Sequence, residues 1–446
     1  MKMRTFKTGG VHPPENKYSS GEAIVTLDIP KQVKIHLNQH LGAPATPKVE
    51  KGDKVKVGTL IGELKGFISA NIHSSVSGTV FKIDEVTDVS GYRRKAVIIN
   101  TDGDEWEDSI DRSEDLKKEI TLSSQEIIEK MKEMGIVGLG GATFPAHIKY
   151  MFPEGKSADT LIINGVECEP YLTSDHRLML EHPDEIMVGI EIMMKAGKVD
   201  RAFIGIESNK PDAIELLSEK AKDHAGIEVV PLKVRYPQGA EKQLIKAILN
   251  REIPSGKLPL DVGCIVNNIG TAFAIYEAVQ KNKPMIERVV SLTGKELKKR
   301  GNLKVRIGTP AKMMLEKLGT ELPENTGKII SGGPMMGKAV ASLDIPITKG
   351  TSGILIMDRS ESERAKVMNC IRCSKCVSVC PMGLEPFLLE KLAAKEDFEK
   401  CENEDIVDCI ECGSCSYTCP SNRPLLDYIR YGKQNVMRMM RERRQK

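Results

Sequence analysis

Eight cysteines in two copies of one pattern constrain this chain more than any other feature. The first run is Cys370-x2-Cys373-x2-Cys376-x3-Cys380 followed by Pro381, and the second is Cys409-x2-Cys412-x2-Cys415-x3-Cys419 followed by Pro420. A segment this rich in thiols folds around something other than an apolar core. Met1-Lys2-Met3-Arg4 carries charge with no apolar stretch behind it, so no signal peptide is expected. In the reducing compartment this implies, clustered cysteines read as metal ligands and not as disulfides. Zinc pairs use two CxxC halves with a spacer between them. A four-cysteine run closed by proline and then repeated is the pattern of iron–sulfur ligation, in which three thiolates fold around one face of a cuboidal [4Fe-4S] cluster and the fourth points elsewhere. Cys401, between the runs, belongs to neither and is expected as a free thiol.

The doubled run resembles the two-cluster ferredoxins, where the fourth cysteine of each run ligates the other cluster. The resemblance implies that Cys370, Cys373, Cys376 and Cys419 hold one cluster, and Cys409, Cys412, Cys415 and Cys380 the other. Such crossing brings the clusters close together, which suits electron relay.

The remaining length needs more than one core, because 446 residues exceed what a single compact domain holds. A net charge of +3 over that length gives no electrostatic footprint for nucleic acid. No apolar run approaches the roughly 18–20 residues that span a bilayer. From about residue 31 to 100, short apolar runs alternate with turn residues, as in Gly52-Asp53-Lys54-Val55, Gly58-Thr59-Leu60-Ile61-Gly62 and Ser77-Gly78-Thr79-Val80. The order resembles the small flattened β-barrels of biotinyl and lipoyl carrier domains. A carrier lysine would sit at the hairpin tip, which falls at Phe67. The nearest lysine, Lys65, is out of register, so a structural or docking barrel is expected.

Residues 101–134 start acidic and linker-like, then predict a helix over Ser123–Met134. From 135 to about 280, strands at Thr160–Ile163 and Ala202–Ile206 alternate with helices over Lys210–Ala225 and Ala240–Ile248. This predicts a parallel sheet covered by helices. Residues 285–360 are β-rich and punctuated by glycine. The expected layout is multidomain, α/β and α+β. It comprises a barrel segment over 1–105, a Rossmann-like α/β domain over 120–284, a β-rich domain over 285–360 and a helical cluster module over 361–446.

Gly138-Leu139-Gly140-Gly141-Ala142-Thr143-Phe144-Pro145-Ala146-His147-Ile148-Lys149 follows a predicted helix and is expected to open another. Glycines let backbone amides approach a ligand without a Cβ in the way, and a helix N-terminus attracts phosphate. "GLGGATFPAHIK", "NGVECEP" at 164–170 and "NNIGT" at 267–271 resemble, in order, the flavin-binding segments of the NADH-binding flavoprotein subunit of respiratory complex I. Nearly the whole chain, from "FKTGGVHPPENK" to the cysteine runs, resembles the C-subunit family of Rnf electron-transport complexes. That resemblance implies a β-grasp domain of the SLBB type over 285–360, and an FMN held by Gly138, Gly140, Gly141, Lys149, Asn164, Glu167, Asn267, Asn268 and Thr271. It also implies NADH contacts at Phe144, Phe152, Glu169, Gly239 and Glu241. Cys168, Ala240, Lys242 and Gly270 depart from the complex I pattern.

The function so implied is electron exchange between NAD(H) and ferredoxin through FMN and two [4Fe-4S] clusters. The chain would sit peripherally on the cytoplasmic face of the membrane, with partner subunits moving Na+ or H+ and ferredoxin reached through them. A flavin accepts two electrons and releases them singly, so no acid–base triad is needed. Two other readings share the layout: a cobalamin-reductase-like flavin and iron–sulfur protein, and a relay without flavin. The tail Arg438–Lys446, with five positive charges and one negative, reads as a solvated helix end or a contact with a membrane surface or acidic partner.

Overall fold

A computed structural model of the chain describes residues 3–445. Met1, Lys2 and Lys446, which the terminal readings used, lie outside the described residues.

The alternating stretch after residue 30 forms two small antiparallel sheets. One runs in the order Gln32–His36, Arg93–Thr101, Gly78–Thr87, Lys54–Val55, and the other in the order Thr46–Pro47, Leu60–Glu63, Ile72–His73. Period-2 patterning explains the pairing. Val33 and Ile35 are fully buried with Ile61, Ile72 and Ile99, while Lys34 between them is half-buried. The turn between Leu60–Glu63 and Ile72–His73 puts Phe67 at its tip, 68% exposed, with Lys65 exposed beside it.

The helix predicted after the linker is Ser124–Glu133, capped by a reciprocal pair of hydrogen bonds between Ser123 and Glu126. Beyond it lies a four-stranded, fully parallel sheet in the order Ile227–Leu232, Ala202–Glu207, Thr160–Asn164, Cys264–Asn268. Its strands read as unbroken apolar runs because helices cover both faces, and Leu161, Ile162 and Ile163 are fully buried. The helix predicted over 210–225 ends earlier, as Pro211–Lys220 followed by a 3-10 turn at Ala221–Asp223, and the next is Glu241–Leu249. Helices Pro183–Gly197 and Ile269–Gln280 cross so closely that a Cβ on Gly189 would lie 2.1 Å from the Ala272 carbonyl oxygen. Within the sheet, strands were added on one side of Thr160–Asn164 and then on the other. Ligands of such sheets bind outside the carboxyl ends of the strands where the order reverses. Here that point lies between Asn164 and Asn268.

A mixed six-stranded sheet follows in the order Ile24–Thr26, Gly301–Arg306, Glu287–Thr293, Gly353–Asp358, Thr326–Ser331, Lys338–Val340, with helix Lys312–Leu318 beside it. Its first strand comes from the N-terminal segment and runs parallel to Gly301–Arg306. The sequence reading grouped that segment with the barrel. A three-residue strand carries no legible periodicity, and what holds it is polar and distant: the buried Asn302 amide donates to the Ser19 and Glu22 carbonyls at 2.9 and 3.2 Å.

Beyond that sheet the chain is helical. Pro386–Ala394, Phe398–Asn403 and Leu425–Gln445 pack around Leu389, Ala393, Ile406 and Ile429. Cys401 is fully buried in this core, which makes it a packing residue. Among the described residues no helix is long and apolar enough to cross a membrane.

Candidate cofactor sites

The crevice at the reversal point is built from strand ends. Asn164 and Asn268 close adjacent strands and stand opposite each other in register. Asn268 caps helix Ile269–Gln280 by accepting from the Gly270 amide at 2.8 Å, and donates to Asp175 Oδ2 at 2.6 Å. The positive end of that helix therefore opens on the crevice. The Gly138–Gly141 loop lies over it. The Leu139 amide donates to Thr271 Oγ1 at 2.9 Å, and a Cβ on Gly140, where φ is +75°, would lie 3.0 Å from Asn268 Nδ2. Gly141 faces open space.

This loop does not open an α-helix. It closes on itself, with the Gly138 amide donating to the Phe144 carbonyl at 2.8 Å and Val137 bridging Pro145, and only the 3-10 turn Ala146–Tyr150 follows. The helix dipole at the crevice comes instead from Ile269–Gln280, far along the chain. Lys149 donates to the Val266 carbonyl at 2.6 Å; burial lowers its pKa, and the Glu241 carboxylate opposes that shift. Glu241 shows the mirror effect. Its side chain reaches solvent, yet the surrounding protein raises its pKa against the pull of Lys149. The Asn267 amide donates to the Tyr150 hydroxyl at 2.8 Å, whereas its Oδ1 is buried without a partner. The backbone of Gly140 and Gly141, a helix N-terminus, a half-buried lysine and an unpartnered carboxamide oxygen together fit the phosphate and ribityl chain of a flavin mononucleotide.

The segment after Asn164 is fixed from several sides. Asn164 donates to the Gly239 carbonyl at 2.8 Å, which ties the two predicted segments together. Glu167, at φ +44°, accepts from the Asp175 and His176 amides at 2.8 and 3.2 Å, so its carboxylate caps helix Ser174–Glu181. Glu169 accepts from the Met335 and Met336 amides at 3.1 and 2.8 Å, and burial raises its pKa to about 7. A Cβ on Gly333 would lie 2.2 Å from Glu169 Oε2, so that loop can reach the carboxylate only with glycine there. Phe144 is half-buried, and Phe152 packs against the main hydrophobic core.

Three charged residues that the sequence reading passed over hold this segment. Lys17 donates to the carbonyls of Glu167, Glu169 and Leu172 at 2.7, 2.9 and 2.7 Å, and burial lowers its pKa to about 8. Asp175 is buried and raised to about 6, first by burial and then by Glu167. Arg288, buried on the neighbouring sheet, is the countercharge to both carboxylates. A lone arginine in the apolar run Arg288-Val289-Val290 was a readable signal; nothing local marks Lys17.

In the C-terminal module, Cys380 of the first run joins Cys409, Cys412 and Cys415 of the second around one cavity closed by Pro381, Leu389 and Ile429. Cys419 lies beside Cys376, and both Cys370 and Cys419 act on Arg423. Cys380 is thus grouped with the second run, and Cys419 with Cys370 and Cys376 of the first. Among the described residues no three His, Cys, Asp or Glu side chains are placed to hold a single metal ion. Thiols spread around a cavity suit a cuboidal cluster, which is larger than one ion.

Residues 131–277 match the Nuo51 FMN-binding domain, residues 5–104 the RnfC barrel sandwich hybrid domain, and residues 369–423 the 4Fe-4S dicluster domain. In fold, the chain is similar to an NAD+-reducing [NiFe]-hydrogenase in its H2-reduced state, with a TM-score of 0.50 and 17% identity over 70% of this chain and 63% of that one. It is 46% identical to the C subunit of the proton-translocating ferredoxin:NAD(+) oxidoreductase complex of Clostridium ljungdahlii, over 96% of this chain and 93% of that one. It is 44% identical to the Na(+)-translocating counterpart of Acetobacterium woodii over 99% of both. With FMN-binding and iron–sulfur domains in one polypeptide and these relatives matched over nearly its full length, the chain belongs to the C-subunit family of ion-translocating ferredoxin:NAD(+) oxidoreductase complexes, the RnfC family.

Proposed function

We propose that this chain is the NAD(H)-facing, peripheral subunit of a membrane Rnf-type complex, on the cytoplasmic face, exchanging electrons between NAD(H) and ferredoxin by way of partner subunits that move Na+ or H+. The observation that carries this reading is that one loop, Asn164–Glu169, borders the crevice at one end and at the other packs, through Cys168 and Tyr236, in one apolar cluster with Cys412 of the cysteine module. FMN, when bound, takes the two electrons of a hydride and releases them singly, and [4Fe-4S] clusters carry one each.

The chain's own residues have separable tasks. Gly140 and Gly141 offer backbone amides, Gly138 closes the loop that presents them, and Lys149 adds a half-buried positive charge beside it. Asn267, Asn268 and Thr271 close the phosphate end, while Asn164 and Glu167 shape the wall beside the ring. Phe144, Gly239 and Glu241 border the mouth where a nicotinamide would enter. Phe152 and Glu169 act from behind, by packing and by tying the loop to the next sheet. Cys370, Cys373, Cys376 and Cys419 hold one cluster, and Cys409, Cys412, Cys415 and Cys380 the other. The six-stranded sheet with its helix is read as a β-grasp of the SLBB type over 285–360, between a flavin domain over 120–284 and a cluster module over 361–446, with the barrel segment over 1–105.

Anaerobic reconstitution with iron, sulfide and FMN, then desalting and titration with NADH, tests the reading. Bleaching of retained flavin followed by loss of the broad iron–sulfur absorbance supports it. Clusters without retained flavin, and no response to NADH, would remove it.

A further inference from the structure

The two groups of cysteines stand in different surroundings. Cys370 and Cys373 are exposed, as are Met368 and Ile371 beside them, at 55% and 67%. Cys380, Cys412 and Cys415 are buried. Leu389, Leu425 and Ile429 of the module itself pack in one core with Cys415, and the rest of the cover comes from outside the module, much of it from the flavin-binding part of the chain. Tyr236, three residues before the Gly239 that holds Asn164, donates its hydroxyl to the Cys412 carbonyl at 2.8 Å, with Glu169 Oε1 at 3.5 Å. Its backbone pairs both ways with Val11, at 2.8 and 2.9 Å, and the adjacent Gly10 amide donates to the Val379 carbonyl at 2.8 Å. A Cβ on Gly9 would lie 2.5 Å from the Cys380 carbonyl carbon, so the N-terminal segment touches the backbone of a second ligand. Gln243, on the helix that starts at Glu241, donates to the Pro381 carbonyl at 3.2 Å. Every one of these contacts falls on a loop of the Cys380, Cys409, Cys412 and Cys415 group. The other group's neighbours come from its own module, as where the Met368 amide donates to the Ser421 carbonyl at 2.9 Å.

We infer that the cluster held by Cys380, Cys409, Cys412 and Cys415 is the inner one, exchanging electrons with the flavin crevice, and that Tyr236 is the positioning residue that sets it there. The outer cluster, beside exposed Cys370 and Cys373, is then the point of exchange with a partner. This rests on the ligand grouping proposed above. Across the whole step, one NADH is oxidised to NAD+, two clusters are each reduced by one electron, and one proton is released. Tyr236 supplies no reacting atom, and its hydroxyl donates to a backbone carbonyl, not to a thiol. It acts through the Cys412 peptide, and hydrogen bonds and burial around the ligands set cluster potential.

The test uses the full chain reconstituted with iron, sulfide and FMN, comparing wild type with Tyr236→Phe and, approaching the same cluster from another side, Gly9→Ala. Cys373→Ala and Cys412→Ala identify which electron-paramagnetic signal belongs to which cluster. Both positioning variants should shift the midpoint potential of the Cys412 cluster alone. They should also slow its reduction by NADH-reduced flavin on the order of tenfold, as small misplacements do, while NADH bleaches the flavin as fast as in wild type. A shift confined to the Cys373 cluster would reverse the order of the clusters. Unchanged potentials and rates in both variants would remove the positioning role. A Cys412→Ala chain that keeps all its iron would instead defeat the ligand grouping, which is a separate result.

Discussion

Around the second cysteine run, Cys412 and Cys415 are buried, and the loop at Cys412 is hydrogen-bonded by Tyr236. Around the first, Cys370 and Cys373 are exposed, and Arg364 nearby makes only a surface pair with Asp427. The spacing of the two runs is the same, so the difference lies in what packs on them. Ligand spacing decides that a cluster can form, and the surrounding protein decides which potential it has and what it can reach.

The sharpest way to break that comparison is to remove one ligand from each run. Cys370→Ala and Cys412→Ala should each lose half of the iron while FMN binding survives. Only Cys412→Ala should also lower the thermal midpoint markedly, since its loop packs against Tyr236 and Val11. Equal midpoints would mean that the inner contacts hold nothing together, and loss of flavin with the iron would count against separate domains.

Gly140→Val comes next. The φ of +75° and the 3.0 Å approach to Asn268 leave no room for a branched side chain, and the left-handed conformation alone costs roughly 1–2 kcal/mol. Desalting should strip FMN from this variant while its iron content stays at the wild-type level.

Lys17→Met leaves three carbonyls of the crevice loop without their donor. Unsatisfied buried groups cost about 1–3 kcal/mol each at most, so denaturant unfolding should show a loss in that range, together with weaker flavin retention. An unchanged midpoint would show that the N-terminal segment does not hold the loop.

Glu169 supplies a pH dependence. Its pKa rises from the ordinary 4.5 to about 7 through burial. The stability it contributes is therefore fully present below pH ~4.5 and is lost as the pH rises through ~7. Glu169→Gln should flatten the thermal midpoint across that window relative to wild type; an identical slope would assign the effect to other groups. The smallest change is expected on the outer side, where Arg364→Ala removes an exposed pair with Asp427 worth about 0.2–1 kcal/mol.

Much of this architecture was readable because its signals are local. Alternation marked the barrel strands, short apolar runs marked strands at Thr160–Ile163 and Ala202–Ile206, and a helix was legible over Ser123–Met134. The glycine loop was legible as a turn, but the helix behind it was misplaced, because Pro145 and the contact between Gly138 and Phe144 close the loop before a helix can begin. Ile24–Thr26 was not legible as part of the six-stranded sheet. Its partner lies far along the chain, and three residues give no period.

By itself the sequence determined the ligand chemistry. Three thiolates spaced by two residues can face one cluster whatever the rest of the chain does, since that geometry is set within a single turn of backbone, and the fourth, after three residues, points elsewhere. The tertiary structure alone decided which cluster faces the flavin crevice, which helix N-terminus serves it, and that Lys17 and Arg288 support its walls. Those outcomes depend on contacts between residues more than a hundred positions apart, and burial, which sets both their strength and their charge, is a property of the folded whole.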